Sequence, residues 1–300
     1  MSTITALETI APKTGASRPM FSGTGSGSPR DFLDNRFVYV VLSPRAGGLT
    51  IGINLNPDKA CNFNCVYCEV NRNEAPRESI IDADIIVAEL KRTLETVFSG
   101  ALRERTNYRT LPADLLKLRH LALSGDGEPT LCPQFSEIVE KTIHVRACGR
   151  FPFFKLVLLT NASALDRKEV LSGLRHFTIH DEIWAKLEAG TQEAMDRIYQ
   201  VHFPIETILA NILALARQRP VIIQSLFPSI GGTGPSASEI DAYAARLNEL
   251  KANGAQIPLV QIYSASRPSA HPESGHLPLR TLKEIARKVR EVTGLKAEVF

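Results

Sequence analysis

The chain has 300 residues, of which 44% are hydrophobic, and a formal net charge of +3 at pH 7. This length and composition suit one large α/β domain or two smaller ones, and the small positive charge does not by itself indicate a nucleic-acid-binding protein. No apolar stretch is long enough to span a membrane and no signal-peptide core is visible, so we expect a soluble, cytoplasmic protein without a membrane partner.

The N-terminal part of the chain differs from the rest. Residues 1–36 are rich in Ser, Thr, Gly and Pro and show no hydrophobic period, which predicts a disordered tail, with a transit peptide as the alternative. Residues 37–300 contain no linker or repeat and are predicted to form one domain. This domain begins with two predicted strands, residues 37–42 and 49–55, which Gly47-Gly48 separates.

A cysteine motif follows the second strand. Cys61, Cys65 and Cys68 are spaced C-x3-C-x2-C, and this clustering among five cysteines suits a reducing compartment better than a disulfide framework. Thiolates are soft ligands that select zinc or iron–sulfur centres, but a closed zinc site takes four protein ligands. Three thiolates on a four-iron cluster leave one iron open, so the motif predicts a reactive site. A zinc loop or three unrelated buried cysteines are the alternatives.

The remaining sequence alternates between strand and helix patterns about six times. Periodicity predicts helices at residues 81–105, 135–147, 167–174, 191–199, 205–217, 236–252 and 279–292, and strands at residues 118–124, 156–160, 182–187, 221–227, 258–263 and 297–300. Such alternation is typical of a parallel sheet with helices outside, and six units are too few for a closed eight-unit barrel. The predicted fold is an α/β, partial (β/α)6 TIM-like barrel with a flexible N-terminal tail.

The cysteine motif, with Tyr67 as the aromatic residue before its last cysteine, resembles the signature of the radical S-adenosylmethionine (SAM) superfamily, whose fold is also a partial (β/α)6 barrel. The resemblance implies a [4Fe–4S] cluster on Cys61, Cys65 and Cys68, bound SAM, and an electron donor such as flavodoxin or ferredoxin. In that family, the cluster cleaves SAM to a 5′-deoxyadenosyl radical, which abstracts a hydrogen atom from the substrate. The implied function is a radical SAM enzyme of the oxidoreductase or transferase type, acting on an unidentified small or macromolecular substrate.

The turn after the strand at residues 118–124 carries a second resemblance. Its sequence is Gly125-Asp126-Gly127-Glu128-Pro129, and Gly127-Glu128-Pro129 resembles the Gly-Gly-Glu motif that contacts the methionine amino group in the family. An ordinary acidic β-turn is the alternative. Together with Lys186, the turn resembles a branch that includes the wyosine-forming tRNA enzyme. The alternative functions are therefore tRNA base modification and, from another class, a non-catalytic metal-binding scaffold.

Polar residues at the other predicted strand ends are further candidates, because barrel folds place ligands at the carboxyl ends of their strands. Asn161 either caps a turn or contacts the ligand. Lys186 and Glu188 share a strand face, where the lysine needs an anionic partner. That partner is the SAM carboxylate or an internal ion pair, and a Schiff-base lysine is the catalytic alternative. Gln224 or Ser225 is expected near the ribose.

Three remaining features are assigned by position alone. Cys132 follows the acidic turn and is the second catalytic candidate, with a buried structural cysteine as the alternative. Gly231-Gly232-Thr233-Gly234 is predicted to be a flexible loop over the site. Arg267 either meets an anionic substrate or forms a surface salt bridge.

Overall fold

The computed structural model describes residues 32–43, 45–76, 78–265, 269 and 271–300. The strands are β1 Val38–Ser43, β2 Gly48–Asn54, β3 Leu118–Ser124, β4 Lys155–Thr160, β5 Glu182–Lys186, β6 Ile222–Leu226, β7 Ser229–Ile230, β8 Val260–Tyr263, β9 Ser274–Gly275 and β10 Ala297–Val299. The helices are α1 Ala83–Phe98, α2 Phe135–Ala147, α3 Lys168–Leu174, α4 Gln192–Tyr199, α5 Ile205–Ala216, α6 Ala237–Ala252 and α7 Leu279–Thr293. Short 3-10 turns span residues 101–104, 113–116 and 129–131.

Eight strands form one sheet in the order β1-β2-β3-β4-β5-β6-β8-β10. From β2 onward, neighbouring strands are parallel, whereas β1 pairs antiparallel with β2. Within the described residues, β1 and β10 do not pair with each other, so the barrel stays open between them. The predicted α/β partial barrel is confirmed, and β7 and β9 add a small separate ribbon that the sequence did not predict.

Alternating residues of the strands face two different environments. One set, which includes Leu158, Ile183 and Ile223, belongs to the large apolar core beneath the helices. The other set faces the concave inside of the sheet, where Val157 and Trp184 form a small second cluster with Ile222. Because the central parallel strands bury both faces, they have the nearly continuous apolar sequences that are typical of parallel sheets.

Two predicted boundaries differ from the structure. The first helix ends at Phe98 rather than near residue 105, because Gly100 adopts a left-handed conformation with φ of 84° and a 3-10 turn follows. Residues 32–36, which the prediction placed in the tail, pack on the domain: Phe32 is buried, and the Asn35 amide donates to the Thr93 hydroxyl at 3.0 Å. Residues 1–31 lie outside the described residues, so the tail stays a prediction there. No helix in the described part of the chain is long and apolar enough to cross a membrane.

Candidate functional site

The cysteine motif lies in the loop between β2 and α1, at the carboxyl edge of the parallel sheet. Cys61, Cys65 and Cys68 are partly exposed and form no disulfide. Burial raises the pKa of Cys61, and it raises the pKa of Cys65 to about 12 even though Lys186 acts in the opposite direction. These two thiols therefore hold their protons at neutral pH, and a metal that binds there must displace those protons.

The donor set at this loop consists of three sulfur atoms, with no fourth ligand among the described residues. No three His, Cys, Asp or Glu side chains of the described residues are grouped closely enough to hold one metal ion. Three accessible thiols without a completing imidazole or carboxylate do not fit a closed zinc site. Their chemistry does fit an iron–sulfur cluster, which takes its protein ligands one to each iron.

Helix α4 holds the cysteine loop in place. The backbone N–H groups of Asn64 and Val66 donate to the carbonyls of Tyr199 and Ile198, at 3.0 and 2.9 Å. The Phe63 ring stacks on Tyr199, with 4.6 Å between the ring centroids. These bonds use carbonyls that the helix end leaves unpaired, so the loop satisfies the last turn of α4 while α4 fixes the loop.

The turn after β3 presses against the same loop. The Cβ that any other residue would place at Gly127 would lie 1.7 Å from the Ala60 carbonyl oxygen, and the Glu128 N–H donates to that oxygen at 3.1 Å. Asp126 is held by Asn54, whose side-chain amide donates to the Asp126 carboxylate at 2.9 Å. The glycine therefore permits a close loop-to-loop contact, and the predicted approach of this turn to a ligand stays a prediction.

The Glu128 carboxylate is fully engaged inside the protein. Its Oε1 accepts from the Thr130 and Thr160 hydroxyls at 2.6 Å, and its Oε2 accepts from the Asn161 N–H at 2.7 Å. Burial raises its pKa, although these hydrogen bonds oppose the shift. Glu128 thus ties the end of β3 to the end of β4, and the Asn161 side chain continues the chain of contacts to Asn62 in the cysteine loop at 2.9 Å.

Lys186, Tyr67 and Glu188 form a polar network beside the cysteines. The Lys186 ammonium donates to the Tyr67 hydroxyl at 3.0 Å, and that hydroxyl donates to Glu188 at 2.5 Å. The ammonium also lies 3.9 Å from the other oxygen of Glu188. Burial opposes the charge on Lys186, but its acidic neighbours, Glu188 first among them, outweigh burial, so the pKa of Lys186 is raised and it stays an ammonium.

Comparisons with known proteins agree with this architecture, although no protein-family model matches the chain. A UPF0026 protein of Helicobacter pylori strain 26695 is 27% identical over 241 residues, which cover 78% of this chain and 67% of that protein. A UPF0026 protein of Synechocystis sp. is 28% identical over 178 residues, which cover 58% of this chain and 57% of that protein.

Three solved structures share the fold with much lower identity. TYW1 with a lysine–pyruvate adduct bound has a TM-score of 0.51 and 17% identity, covering 81% of this chain and 73% of that one. SuiB of Streptococcus suis bound to S-adenosylmethionine has a TM-score of 0.57 and 14% identity, covering 81% of this chain and 49% of that one. Spore photoproduct lyase with a dinucleoside spore photoproduct has a TM-score of 0.55 and 11% identity, covering 87% of this chain and 78% of that one. All three are radical SAM enzymes.

The chain shares its fold with these three enzymes. The resemblance that the cysteine spacing suggested is thereby confirmed at the level of architecture. At these identities, the likeness leaves the reaction to be argued from the residues themselves.

Within the radical SAM fold, the structure separates Gln224 from Ser225. The Gln224 amide faces the concave side and donates to the Gln261 side chain at 3.3 Å. Ser225 points the other way, donating to the Leu187 carbonyl at 2.6 Å and contacting the Tyr243 hydroxyl beneath α6. Ser225 is therefore unavailable to a ribose in the barrel mouth, because successive strand residues face opposite sides of a sheet.

The remaining predicted residues lie in three kinds of place. Pro129 begins the buried 3-10 turn after Glu128. Cys132 is buried in the main apolar core, where burial raises its pKa to about 11, which fits the structural alternative. Cys148 is exposed at the end of α2. Arg267 lies outside the described residues, and its assignment stays a prediction.

A cavity of about 320 Å³ adjoins this network on the side of Glu188. Its walls are mostly apolar, and the Arg197–Glu239 ion pair lies at its rim between α4 and α6. Thr233 and Gly234 line this cavity, and the predicted position of the glycine-rich loop over the functional site stays a prediction.

Sequence reasoning missed several residues that build the site. Tyr199, at the end of α4, has a pKa that is raised by burial and by the nearby Glu188 carboxylate, and its ring stacks on Phe63. Asn62 lies inside the cysteine motif and bonds both Asn161 and Ser163. The only available signal was the position of Asn62 between two ligand candidates, because the other contacts arise from packing between distant segments.

Proposed function

We propose that the chain is a radical SAM enzyme whose Cys61, Cys65 and Cys68 bind a [4Fe–4S] cluster. When bound and reduced, this cluster would supply reductive cleavage of SAM, giving methionine and a 5′-deoxyadenosyl radical that abstracts hydrogen from a substrate. The observation that carries the proposal is the convergence of three unpaired thiols and the Lys186–Glu188 pair at one rim of a radical SAM fold.

The residues around the cysteines suit SAM in charge and shape. The Lys186 side chain is 25% exposed, so its ammonium has room for a second anion such as the methionine carboxylate. The buried Glu188 carboxylate fixes that ammonium through Tyr67. The cavity beside Glu188 has a volume within the range of small-molecule sites and offers apolar walls to an adenosyl group.

The same contacts weigh against Lys186 as a Schiff-base nucleophile. A lysine amine attacks a carbonyl only when it is unprotonated. Lys186 is instead held as an ammonium by Glu188 and Tyr67. We therefore assign Lys186 to cofactor binding, and we propose that reducing equivalents come from an external protein such as flavodoxin or ferredoxin.

Anaerobic reconstitution tests the cluster directly. With iron and sulfide, the wild-type chain should bind four irons and show a visible thiolate-to-iron charge-transfer band. Cys61→Ala, Cys65→Ala and Cys68→Ala should each lose the band. Cys132→Ala and Cys148→Ala are the matched controls and should keep it, and loss of the band in both controls would contradict the ligand assignment.

Cleavage of SAM tests the chemistry. With dithionite and SAM, the reconstituted protein should slowly release equal amounts of methionine and 5′-deoxyadenosine even without a substrate. Tightly bound zinc in place of iron, together with no cleavage under strict anaerobiosis, would favour the metal-binding scaffold.

A further inference from the structure

We propose that Arg45 recognises an anionic group of the substrate, a carboxylate or a phosphate, inside the concave face of the barrel. This inference deepens the proposed function and rests on it, since it takes the barrel mouth to be where the substrate reacts. Arg45 belongs to the turn between β1 and β2 and was not singled out by its sequence context.

The Arg45 side chain extends into the barrel from the β1–β2 turn, which lies at the amino edge of the parallel sheet. Its guanidinium carbon lies 4.2 Å from the centre of the Tyr263 ring, at the end of β8. Strands β1 and β8 lie near opposite ends of the sheet order, so this contact crosses the concave interior rather than following neighbouring strands. The Tyr263 ring is buried, and the cation on its face is therefore held at a defined place inside the barrel.

The hydrogen-bonding capacity of Arg45 is not used by the described part of the protein. Its Nε is buried and has no hydrogen-bond partner among the described residues, and none of those residues forms an ion pair with it. A guanidinium with a buried, unsatisfied N–H is costly, and stacking on a tyrosine ring does not supply an acceptor. Arg119 shows the contrast: it donates to Gly47 in the same turn, yet it is paired with Asp114 at 3.0 Å.

The charge of Arg45 acts on the same interior as that of Lys186. Burial raises the pKa of Tyr263, and the positive charges of Arg45 and Lys186 partly oppose that increase. Burial, with additional contributions from Lys155 and Arg45, lowers the pKa of His120 to about 3. Lys186 has Glu188 as its counterion, so Arg45 is the cation of this pair that lacks one among the described residues.

A ligand that satisfies Arg45 must offer acceptor oxygens in a plane. The guanidinium fork matches carboxylate and phosphate oxygens in pairs, whereas it finds no partner in an amine or an apolar group. An anion held there would lie inside the barrel against the Tyr263 side, apart from the cavity beside Glu188.

Calorimetric titration of the full-length chain with small anions tests this assignment. The probes are inorganic phosphate, acetate and, as the neutral isostere, acetamide. We expect the wild type to bind at least one anion and no acetamide, and Arg45→Met to weaken that binding about tenfold. The matched variant Arg119→Met should change it by less than about twofold. Preference for phosphate over acetate would indicate a phosphorylated substrate, and the reverse a carboxylate.

Several outcomes would overturn the assignment: no anion binding by the wild type, equal affinity in Arg45→Met, or acetamide binding as well as acetate. If Arg45→Met does not unfold cooperatively, Arg45→Lys replaces it, because it keeps the charge and removes the fork, and we expect weaker binding there too. The titration needs neither cluster nor SAM, so failure of cluster assembly and failure of anion binding are separate results.

Discussion

The charged side chains at the barrel rim differ in how much capacity they have left for a ligand. Glu128 and Glu188 are buried and accept several hydrogen bonds each from the protein. Lys186 is held by Tyr67 and Glu188 but remains partly exposed. The carboxylates therefore position other groups, and the ammonium is the residue that remains able to bind an anion.

Replacing Lys186 should weaken SAM binding without disturbing the cluster. Lys186→Met keeps much of the stem and removes a charge-assisted contact of about 1.5–3 kcal/mol. We expect an intact cluster spectrum and a dissociation constant for SAM raised roughly ten- to hundredfold. Equilibrium dialysis of the reconstituted protein measures this constant. Lys186→Arg should rescue only in part, because its fork is larger and fixed.

The control for this change is Lys155→Met. Lys155 is also partly buried, but it pairs with Glu182 at 2.5 Å at the start of its strand, far along the sheet from the cysteines. It should leave SAM affinity unchanged. Normal SAM affinity in Lys186→Met, combined with lost turnover on the true substrate, would instead assign Lys186 to substrate chemistry.

Glu188→Gln should destabilise the fold, because it leaves the Lys186 charge without its counterion. The Glu188 side chain is fully buried, and breaking such a pair costs about 3 kcal/mol. The double variant Lys186→Met/Glu188→Gln removes both charges, so its loss in free energy of unfolding should be smaller than the sum of the two single losses. Urea unfolding of the cluster-free chain measures all three, and strictly additive losses would show that the pair is not coupled.

Among the structural elements, α4 has the largest influence on the cysteine loop. Its last two residues accept loop N–H groups, and Tyr199 stacks on Phe63 and lies near Glu188. The end of this helix therefore connects the loop that holds the cysteines with the network that holds Lys186.

Phe63→Ala should loosen the loop while keeping every cluster ligand. Phe63 is buried against Tyr199 and Phe203, and truncating such a ring costs about 3–5 kcal/mol. We expect the cluster to assemble but to lose iron to a chelator about tenfold faster, because the loop opens locally more often. Phe154→Ala is the control: that ring is equally buried but lies before β4, and iron release should stay at the wild-type rate.

At the amino edge of the parallel sheet, just before β5, Asp181 joins three elements. It forms a two-point ion pair with Arg146 of α2, at 2.7 and 3.0 Å, and accepts from the N–H groups of Leu156 and Thr178. Burial acts to raise its pKa, but Arg146 and the two N–H groups outweigh burial, so the pKa is lowered. The charged carboxylate is thus the form that stabilises the folded chain.

This lowered pKa predicts how stability depends on pH. The contribution of Asp181 is present above its unfolded pKa of about 3.9 and is lost as pH falls through its lower folded pKa. Asp181→Asn should cost about 3 kcal/mol at pH 7, since it leaves Arg146 buried and unpaired. Urea unfolding should show the gap between wild type and variant closing below about pH 4, and a gap that stays constant with pH would contradict the assignment.

For the whole molecule, the sequence predicted the architecture well because each element has a clear period. The helix expected at residues 135–147 is Phe135–Ala147, and the strand expected at residues 118–124 is Leu118–Ser124. The first helix was predicted too long, because its apolar pattern continues to the buried Leu102 while Gly100 turns the backbone away. Such a stop depends on one dihedral angle and does not interrupt the hydrophobic pattern.

The candidate site was predictable only where a spacing or an alternation in the sequence marks it. Spacing indicated the cysteines, and alternation paired Lys186 with Glu188, which the structure places 3.9 Å apart. Alternation could not decide between Gln224 and Ser225, since shifting the register by one residue reverses the two faces. Arg45 and Tyr199 were beyond reach, because tertiary packing alone brings them beside residues that are distant in the sequence.

The hydrogen bonds around the cysteine loop bear on how the protein would withstand oxygen. Val66 and Glu128 donate their N–H groups to α4 and to Ala60, and neither contact involves a sulfur atom. A zinc finger unfolds when it loses its metal, but a loop fixed in this way keeps its shape after oxidative loss of iron. We expect slow amide exchange at Val66 and Glu128 in the iron-free chain. Repair after air exposure should then need only reductant, iron and sulfide, without a chaperone.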